Sequence, residues 1–308
     1  MTINKAMFLF IAAALAYSLP AAAVDSDDLP ADTIWYLHAD LAGMRDRESG
    51  RDLYHWLEGE IFAEVEEETG IRIGRELDRI TAFSAPGPGV TVVLEGPLSK
   101  ETQDKLMAMV ALRSGYDLRE YRGQTYYFSG DSDARPNSDD PLGTLLEAAF
   151  FSFALKDRVL VSSSEGQMQE LLKSGGRISG SGSHKGALFV LTADKSFVQA
   201  GLRAEHFSKD GDDGWNSNIL RNTEQAALLV ADRDGMLAVE AQLKSRDARM
   251  AQSISSVVNG LIGLQAFNSD IDPGIRSLIS NTRVSVADAV LSISTVFNPA
   301  VLLELLAD

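Results

Sequence analysis

His38 and Asp40 stand two residues apart, and Tyr36 precedes His38 by the same step. On an extended strand this spacing puts all three side chains on one face, an imidazole between a phenol and a carboxylate. Such a trio could move a proton, and it is the best polar constellation in the chain. A second copy of the phrase argues for something plainer. Trp35-Tyr36-Leu37-His38-Ala39-Asp40 lies over Phe189-Val190-Leu191-Thr192-Ala193-Asp194, where Thr192 replaces the histidine and Asp194 keeps the acid. An aspartate kept where a strand gives way to the next element reads first as a turn or cap residue.

Other chemistries lack their residue sets. No Gly-x-Ser-x-Gly elbow occurs, and Ser162-Ser163-Ser164-Glu165-Gly166 reads as the capped start of a helix. His38, His55, His184 and His206 provide no pair at the spacing of a metal-binding helix, so no metal site is expected. The acidic run Asp131–Asp140 begins like a calcium loop. Arg135, Pro136 and Leu142 then occupy the places of a ligand, the needed glycine and the final glutamate. Lys209-Asp210-Gly211-Asp212-Asp213-Gly214 fails in the same way. Ser174-Gly175-Gly176 follows a helix where a phosphate-binding loop would open one. No cofactor is expected.

Two apolar stripes leave a choice open. Met250, Ile254, Val257, Val258, Leu261, Ile262 and Leu264 cover more than one face of their helix, and Leu106, Met107, Met109 and Val110 cluster on another. Both suit a packed core. Core packing is the plainer reading of both, and the alternative is a groove for a lipid, a peptide or a partner helix.

The elements that must carry these residues follow a repeated order. In the first half the pattern predicts a strand over Ile34–Asp40, then a helix over about 50–69 with Leu53, Leu57, Ile61 and Val65 on one stripe. Strands over Ile80–Ala85 and Val90–Glu95 flank Pro86-Gly87-Pro88-Gly89, and a helix capped at Ser99 runs to Leu112. Hairpins over 118–129 and 150–163 and a short helix over Gln167–Lys173 complete this half. The second half predicts a strand over Ala187–Asp194, a broken helix over 196–221 and strands over 225–232 and 236–243. A long helix capped by Ser245 with Asp247, a helix after Pro273, a hairpin over 283–295 and a last helix over 299–306 follow. Without a gap, Gly89 falls on Gly235 and Ser99 on Ser245, and Ala154–Leu160 resembles Ser285–Leu291.

The expected fold is therefore α+β, a duplicated β-α-β-β-α-(β-β)-α unit with mainly antiparallel sheets and helices packed on one face. The first repeat is expected over 24–173 and the second over 186–308, joined by a Gly/Ser-rich linker at 174–185.

Composition bounds what this fold can do. The chain has 308 residues, 45% apolar and 7% aromatic, which supports a real core. With no cysteine it has no disulfide, thiolate or iron–sulfur chemistry. Its net charge of −16 repels nucleic acid and anionic membrane surfaces; the plainer reading of it is solubility, and the sharper one is attraction to a basic partner. Residues 1–23 have the three regions of a signal peptide: Lys5, an apolar run from Ala6 to Tyr17, and Ala21-Ala22-Ala23. Cleavage after Ala23, release to the periplasm and no later membrane span are expected. The apolar stretch Ile254–Phe267 reads as a buried helix.

Leu29-Pro30-Ala31-Asp32-Thr33 leading into a strand, Tyr121-Arg122-Gly123, and Ala154-Leu155-Lys156-Asp157-Arg158-Val159-Leu160-Val161 are phrases of a kind found in a poorly characterised family of bacterial exported proteins of unknown function, which this chain resembles. The resemblance implies a periplasmic location and duplicated α+β units, and brings no catalytic residue. Together these readings point to a non-enzymatic periplasmic binding or adaptor protein. The alternatives are a carrier of a lipid-like or other apolar ligand, and a hydrolase whose site assembles only in the fold.

Overall fold

The computed structural model describes residues 33–84, 89–113, 116–130, 148–178, 186–203, 221–266 and 273–301. The signal segment, the loops Asp131–Asp140 and Lys209–Gly214, the turn residues Pro86, Gly87 and Pro88, and residues 302–306 of the last expected helix lie outside them. Within the described residues the chain is α+β and forms two compact units. One is drawn from Ser26–Arg45 with Tyr54–His184, the other from Asp46–Leu53 with Lys185–Asp308. The two units meet in the chain at His184 and Lys185. The short segment Asp46–Leu53 goes with the later half of the chain.

In the first unit, strands β1 (Trp35–Asp40), β2 (Arg79–Phe83), β3 (Thr91–Glu95), β4 (Asp117–Tyr121), β5 (Gln124–Gly130), β6 (Ala148–Ser152) and β7 (Arg158–Ser162) run in the order β1-β2-β3-β7-β6-β5-β4. Every adjacent pair is antiparallel. Helices α1 (Leu41–Asp46), α2 (Glu48–Leu57), α3 (Ala63–Thr69) and α4 (Ile73–Glu76) lie between β1 and β2. Helix α5 (Lys100–Arg113) follows β3, and α6 (Glu165–Ser174) follows β7.

The helix expected as one piece over 50–69 contains a π-helical turn at Glu58–Phe62. Upstream of it Tyr54 is buried while Leu53 and Leu57 are only half-buried. The Tyr54 hydroxyl donates to the Gly74 carbonyl, 2.8 Å away. The glycine-rich linker also begins later than its composition suggests. Ser174 ends α6, and Gly175 and Gly176 return N–H groups to Leu172 and Leu171, a helix-terminating arrangement.

Burial alternates along the first sheet. Thr81, Phe83, Thr91, Val93, Tyr126, Phe128, Leu160 and Ser162 are buried on one face. There Met168, Leu171 and Leu172 of α6 pack with Val93, Tyr126 and Leu160. The residues that alternate with them form the other face.

In the second unit, β8 (Ala187–Asp194), β9 (Thr223–Arg233), β10 (Met236–Ser245), β11 (Arg283–Ala287) and β12 (Val290–Phe297) run in the order β11-β12-β10-β9-β8. Helix α7 (Lys195–Arg203) follows β8, and α8 (Ala248–Ala266) and α9 (Pro273–Ser280) separate β10 from β11. Ile254 and Val258 of α8, with Met250 and Ile262, pack on Leu291, Ile293, Ala241 and Leu243. The stretch read as a buried helix is thus buried on one side only, with Leu261 48% and Leu264 71% exposed.

The order β1-β2-β3-β7-β6 matches β8-β9-β10-β12-β11, and the first unit adds the hairpin β4–β5. Registers match as well. Tyr36 faces Phe83 as Val190 faces Leu229, and Asp40 faces Arg79 as Asp194 faces Gln225. Beyond the second strand the ungapped alignment fails. Thr91 faces Phe83, whereas Glu240 faces Leu229, so Thr91 corresponds to Glu240 and Val92 to Ala241. The reason is the connection. Residues 84–90 join β2 to β3, but only Asp234 and Gly235, with φ of 52° and 78°, join β9 to β10.

The helix cap corrects in step. Ser245 ends β10, and its hydroxyl is buried without a hydrogen-bond partner. The Asp247 carboxylate alone accepts the Met250 N–H, at 2.8 Å. Asp247→Ala should therefore lower the unfolding free energy by about 1 kcal/mol. Ser245→Ala should be neutral or stabilising, because it removes a polar group that burial leaves unsatisfied. Urea denaturation of the two variants separates them.

Candidate functional site

Strand β1 delivers Tyr36, His38 and Asp40 to one face, as their spacing requires. Each then has a structural use. Tyr36 is 2% exposed. Burial first, and the negative Glu95 second, push its phenol up to about 12, so it stays neutral. His38 Nδ1 lies 2.9 Å from the Thr81 hydroxyl, directly across on β2. Asp40 accepts the Gly43 N–H at 3.0 Å and so starts α1. Asp194, in the other unit, accepts the Phe197 N–H at 3.0 Å and the Ser196 hydroxyl at 2.7 Å at the start of α7. Both aspartates are helix caps.

The serine run is equally committed. Ser162 shares a hydrogen bond with Thr91 at 2.9 Å, Ser163 accepts the Val90 N–H at 2.8 Å, and Ser164 caps α6. Among the described residues no three His, Asp or Glu side chains group as a metal site.

Sequence reasoning missed a polar knot at the edge of the first sheet. Arg119 on β4 lies over the rings of Phe128 and Phe150, at 5.1 and 5.3 Å. Its guanidinium donates to Glu165 at 2.6 Å, and Tyr126 donates to the same oxygen at 2.7 Å. Gln169 closes the group by donating to the Tyr126 hydroxyl at 3.3 Å. The hydrogen bonds from Tyr126 and Arg119 hold the Glu165 carboxyl below the usual carboxylate range. Because the folded value is depressed, this stabilisation is present above the unfolded value and is lost as pH falls through the folded one. Wild type should resist urea better than Glu165→Gln at neutral pH, and the gap should close below about pH 4. A gap independent of pH would mean that packing, not charge, holds α6. The knot pins the start of α6 to β4 and β5.

What does remain is the second face of the first sheet. Leu37, Ile80, Ala82, Val92, Leu94, Val161 and Tyr127 are half-buried on it, while Val159 and Phe151 on the same face are buried. Cross-strand pairing puts them on one surface: Leu37 opposite Ala82, Ala82 opposite Val92, Val92 opposite Val161, Val161 opposite Phe151 and Phe151 opposite Tyr127. Tyr127 stacks on Phe151 at 5.2 Å, and Tyr116, 45% exposed, meets Tyr127 edge-on at 5.3 Å. Leu118, opposite Tyr127, is 67% exposed. The alternating valines and leucines of β3 and β7 carry this surface in the sequence. Which side the helices take is not written there.

The corresponding positions of the second unit are covered. Val92 and Leu94 correspond to Ala241 and Leu243, which lie under α8. In the first unit α5 holds the place in the chain that α8 holds in the second, but its bonds lead elsewhere. Glu76 accepts the Ser99 N–H at 2.6 Å and the Thr102 hydroxyl at 2.9 Å, and Lys105 donates to the Gly70 carbonyl at 3.2 Å. Helix α5 is thereby tied to the α3–α4 region.

No family model and no curated protein matches the chain. Among solved structures it is similar to three crystal forms of TP0453. Form III has 12% identity and a TM-score of 0.45, covering 91% of this chain and 96% of that one. Form I has 13% and 0.42, covering 93% and 98%. Form IV has 10% and 0.46, covering 94% and 100%.

Proposed function

We propose that this chain is a non-enzymatic periplasmic binding or adaptor protein, exported through a signal peptide cleaved after Ala23, and that it binds through the half-exposed apolar face of its first sheet. The face itself carries the reading: aliphatic side chains of β1, β2, β3 and β7 and Tyr127 of β5 are only half-buried on it, with Leu118 and Tyr116 exposed at its margin. Contiguous apolar surface of this kind marks an interaction site more often than scattered exposed leucines do.

Two other readings find less support. A carrier would need the α8 stripe to line a cavity, and Met250, Ile254, Val258 and Ile262 pack instead on β10, β11 and β12. A hydrolase would need convergent side chains free to react, and His38, Asp40 and Asp194 are each engaged. The test is capture from periplasmic extract with wild type and with Val92→Lys. Wild type should retain a partner that the variant loses. Equal retention by both, or none by either, would overturn the proposal.

A further inference from the structure

We propose that a second copy of this chain adds to the open edge of β11, antiparallel and about a twofold axis at Ser285, so that two molecules share one continuous sheet. This edge belongs to the second unit and does not depend on the face of the first sheet.

Main-chain geometry defines the edge. The two-residue turn Asp288-Ala289 closes β11 on β12, so Arg283, Ser285 and Ala287 exchange main-chain hydrogen bonds with Ser294, Ser292 and Val290. Val284 and Val286 alternate with them and turn their N–H and C=O groups the other way. Strand β11 ends the strand order of its unit. Among the described residues no main-chain bond reaches Val284 or Val286 from the outer side. Native sheets blunt such edges with charge. Strand β4, at the end of the first unit's order, carries Asp117, Arg119 and Glu120, whereas β11 carries Arg283 alone.

Symmetry and charge choose the occupant. Val284 and Val286 lie on either side of Ser285. A second β11 run antiparallel therefore sets Val284 against the second copy's Val286, and Val286 against its Val284. Each copy's outward N–H groups then meet the other's carbonyls. The valine side chains, which pack with the cluster of Ile254, Val258, Leu291 and Ile293, meet valines on the same side of the joined sheet. The chain has a net charge of −16, yet β11, β12, α8 and α9 contain no Asp or Glu. Two acidic molecules can meet along these elements without bringing their carboxylates together. Asp288, in the turn, comes to the end of the ladder where the second copy's Arg283 stands. The antiparallel direction also sets the two Arg283 residues about 13 Å apart along the strands, beyond the Debye length of roughly 8 Å in physiological salt. A parallel pair in register would stack them about 4.8 Å apart.

Sedimentation velocity on the mature chain should show a monomer–dimer equilibrium. Ser285 is exposed and sits on the axis, where facing Cα atoms come within about 4.5 Å. Ser285→Lys should weaken the dimer about fivefold or more, and mixing it with Ser285→Glu should restore a dimer holding one of each. The chain has no cysteine, so Ser285→Cys carries a single thiol. Mild oxidation should link that variant into a covalent dimer, while Glu120→Cys, exposed on the β4 edge, should give none. A wild type that stays monomeric at every concentration overturns the proposal, whether or not the edge accepts a strand from another protein. So does a dimer that Ser285→Lys leaves intact, or one that oxidation links through Glu120→Cys and not through Ser285→Cys.

Discussion

Leu160→Ala should cost about 2–5 kcal/mol of stability, and Val161→Ala about 1 kcal/mol or less, although the two residues are neighbours on β7. Leu160 is 0% exposed and touches the cluster of Val93, Tyr126, Met168, Leu171 and Leu172. Truncation there removes the transfer free energy of the lost carbons. It also leaves a cavity that a sheet on one side and α6 on the other cannot collapse to fill. Val161 points to the opposite face and is only half-buried, so water fills the space its methyl groups vacate. The comparison measures the two-sidedness of the first sheet without a ligand. Near-equal losses for both variants would mean that the second face is also sealed, and the proposed binding surface would fall with that result. Urea unfolding followed by tyrosine fluorescence is sufficient, provided that the slope with denaturant stays constant.

Strand positions and the α+β class were legible because local chemistry dictates them. The alternation in Thr91–Glu95 and Arg158–Ser162 has the period of a pleated strand whichever side becomes buried. The paired aspartates were legible as caps for the same reason. A carboxylate at the end of a strand meets the unpaired N–H groups of the next helix within three residues. Three features depend on distant parts of the chain, and local pattern does not contain them. The Asp46–Leu53 segment belongs with the later half of the chain through partners such as Asp232, which accepts the Ser49 hydroxyl. The Arg119–Glu165–Tyr126 knot joins residues up to 46 apart in sequence. The contrast between α5 and α8 involves Glu76, which takes the Ser99 and Thr102 donors at the start of α5, and Lys105, which donates to the Gly70 carbonyl. Both helices follow the third strand of their unit and both carry apolar residues, so composition alone could not tell them apart.

Gly96→Ala is expected to be the most damaging single-methyl change in the first unit. Gly96 follows β3 with a φ of 152°, a conformation that an L side chain rarely adopts. A methyl group there would lie 2.1 Å from the Glu76 carbonyl oxygen and 2.9 Å from the Asp78 nitrogen. Both obstacles are backbone, so no rotamer change relieves them. The chain at Glu76–Asp78 must move, and it carries two sets of bonds. One is the main-chain pairing of Asp78 N–H with Glu95 O at 2.7 Å. The other is the Glu76 carboxylate that starts α5. Burial pushes the Glu76 acid up, but the N–H of Ser99 and the hydroxyls of Thr102 and Ser99, with Lys105 nearby, outweigh it and leave the acid below its ordinary value. Its contribution is therefore present above the unfolded carboxylate value and is lost on acidification. Gly96→Ala should cost about 3 kcal/mol or more and should also flatten the acid-dependent part of stability that Glu76 supplies. Gly123→Ala is the control. Its φ is 77°, but open space surrounds the added carbon, so it should cost only about 1 kcal/mol and leave the acid dependence unchanged. If Gly96→Ala matched Gly123→Ala in both respects, the close approach of Gly96 to Glu76–Asp78 would not be the constraint that fixes the Glu76 carboxylate at the start of α5.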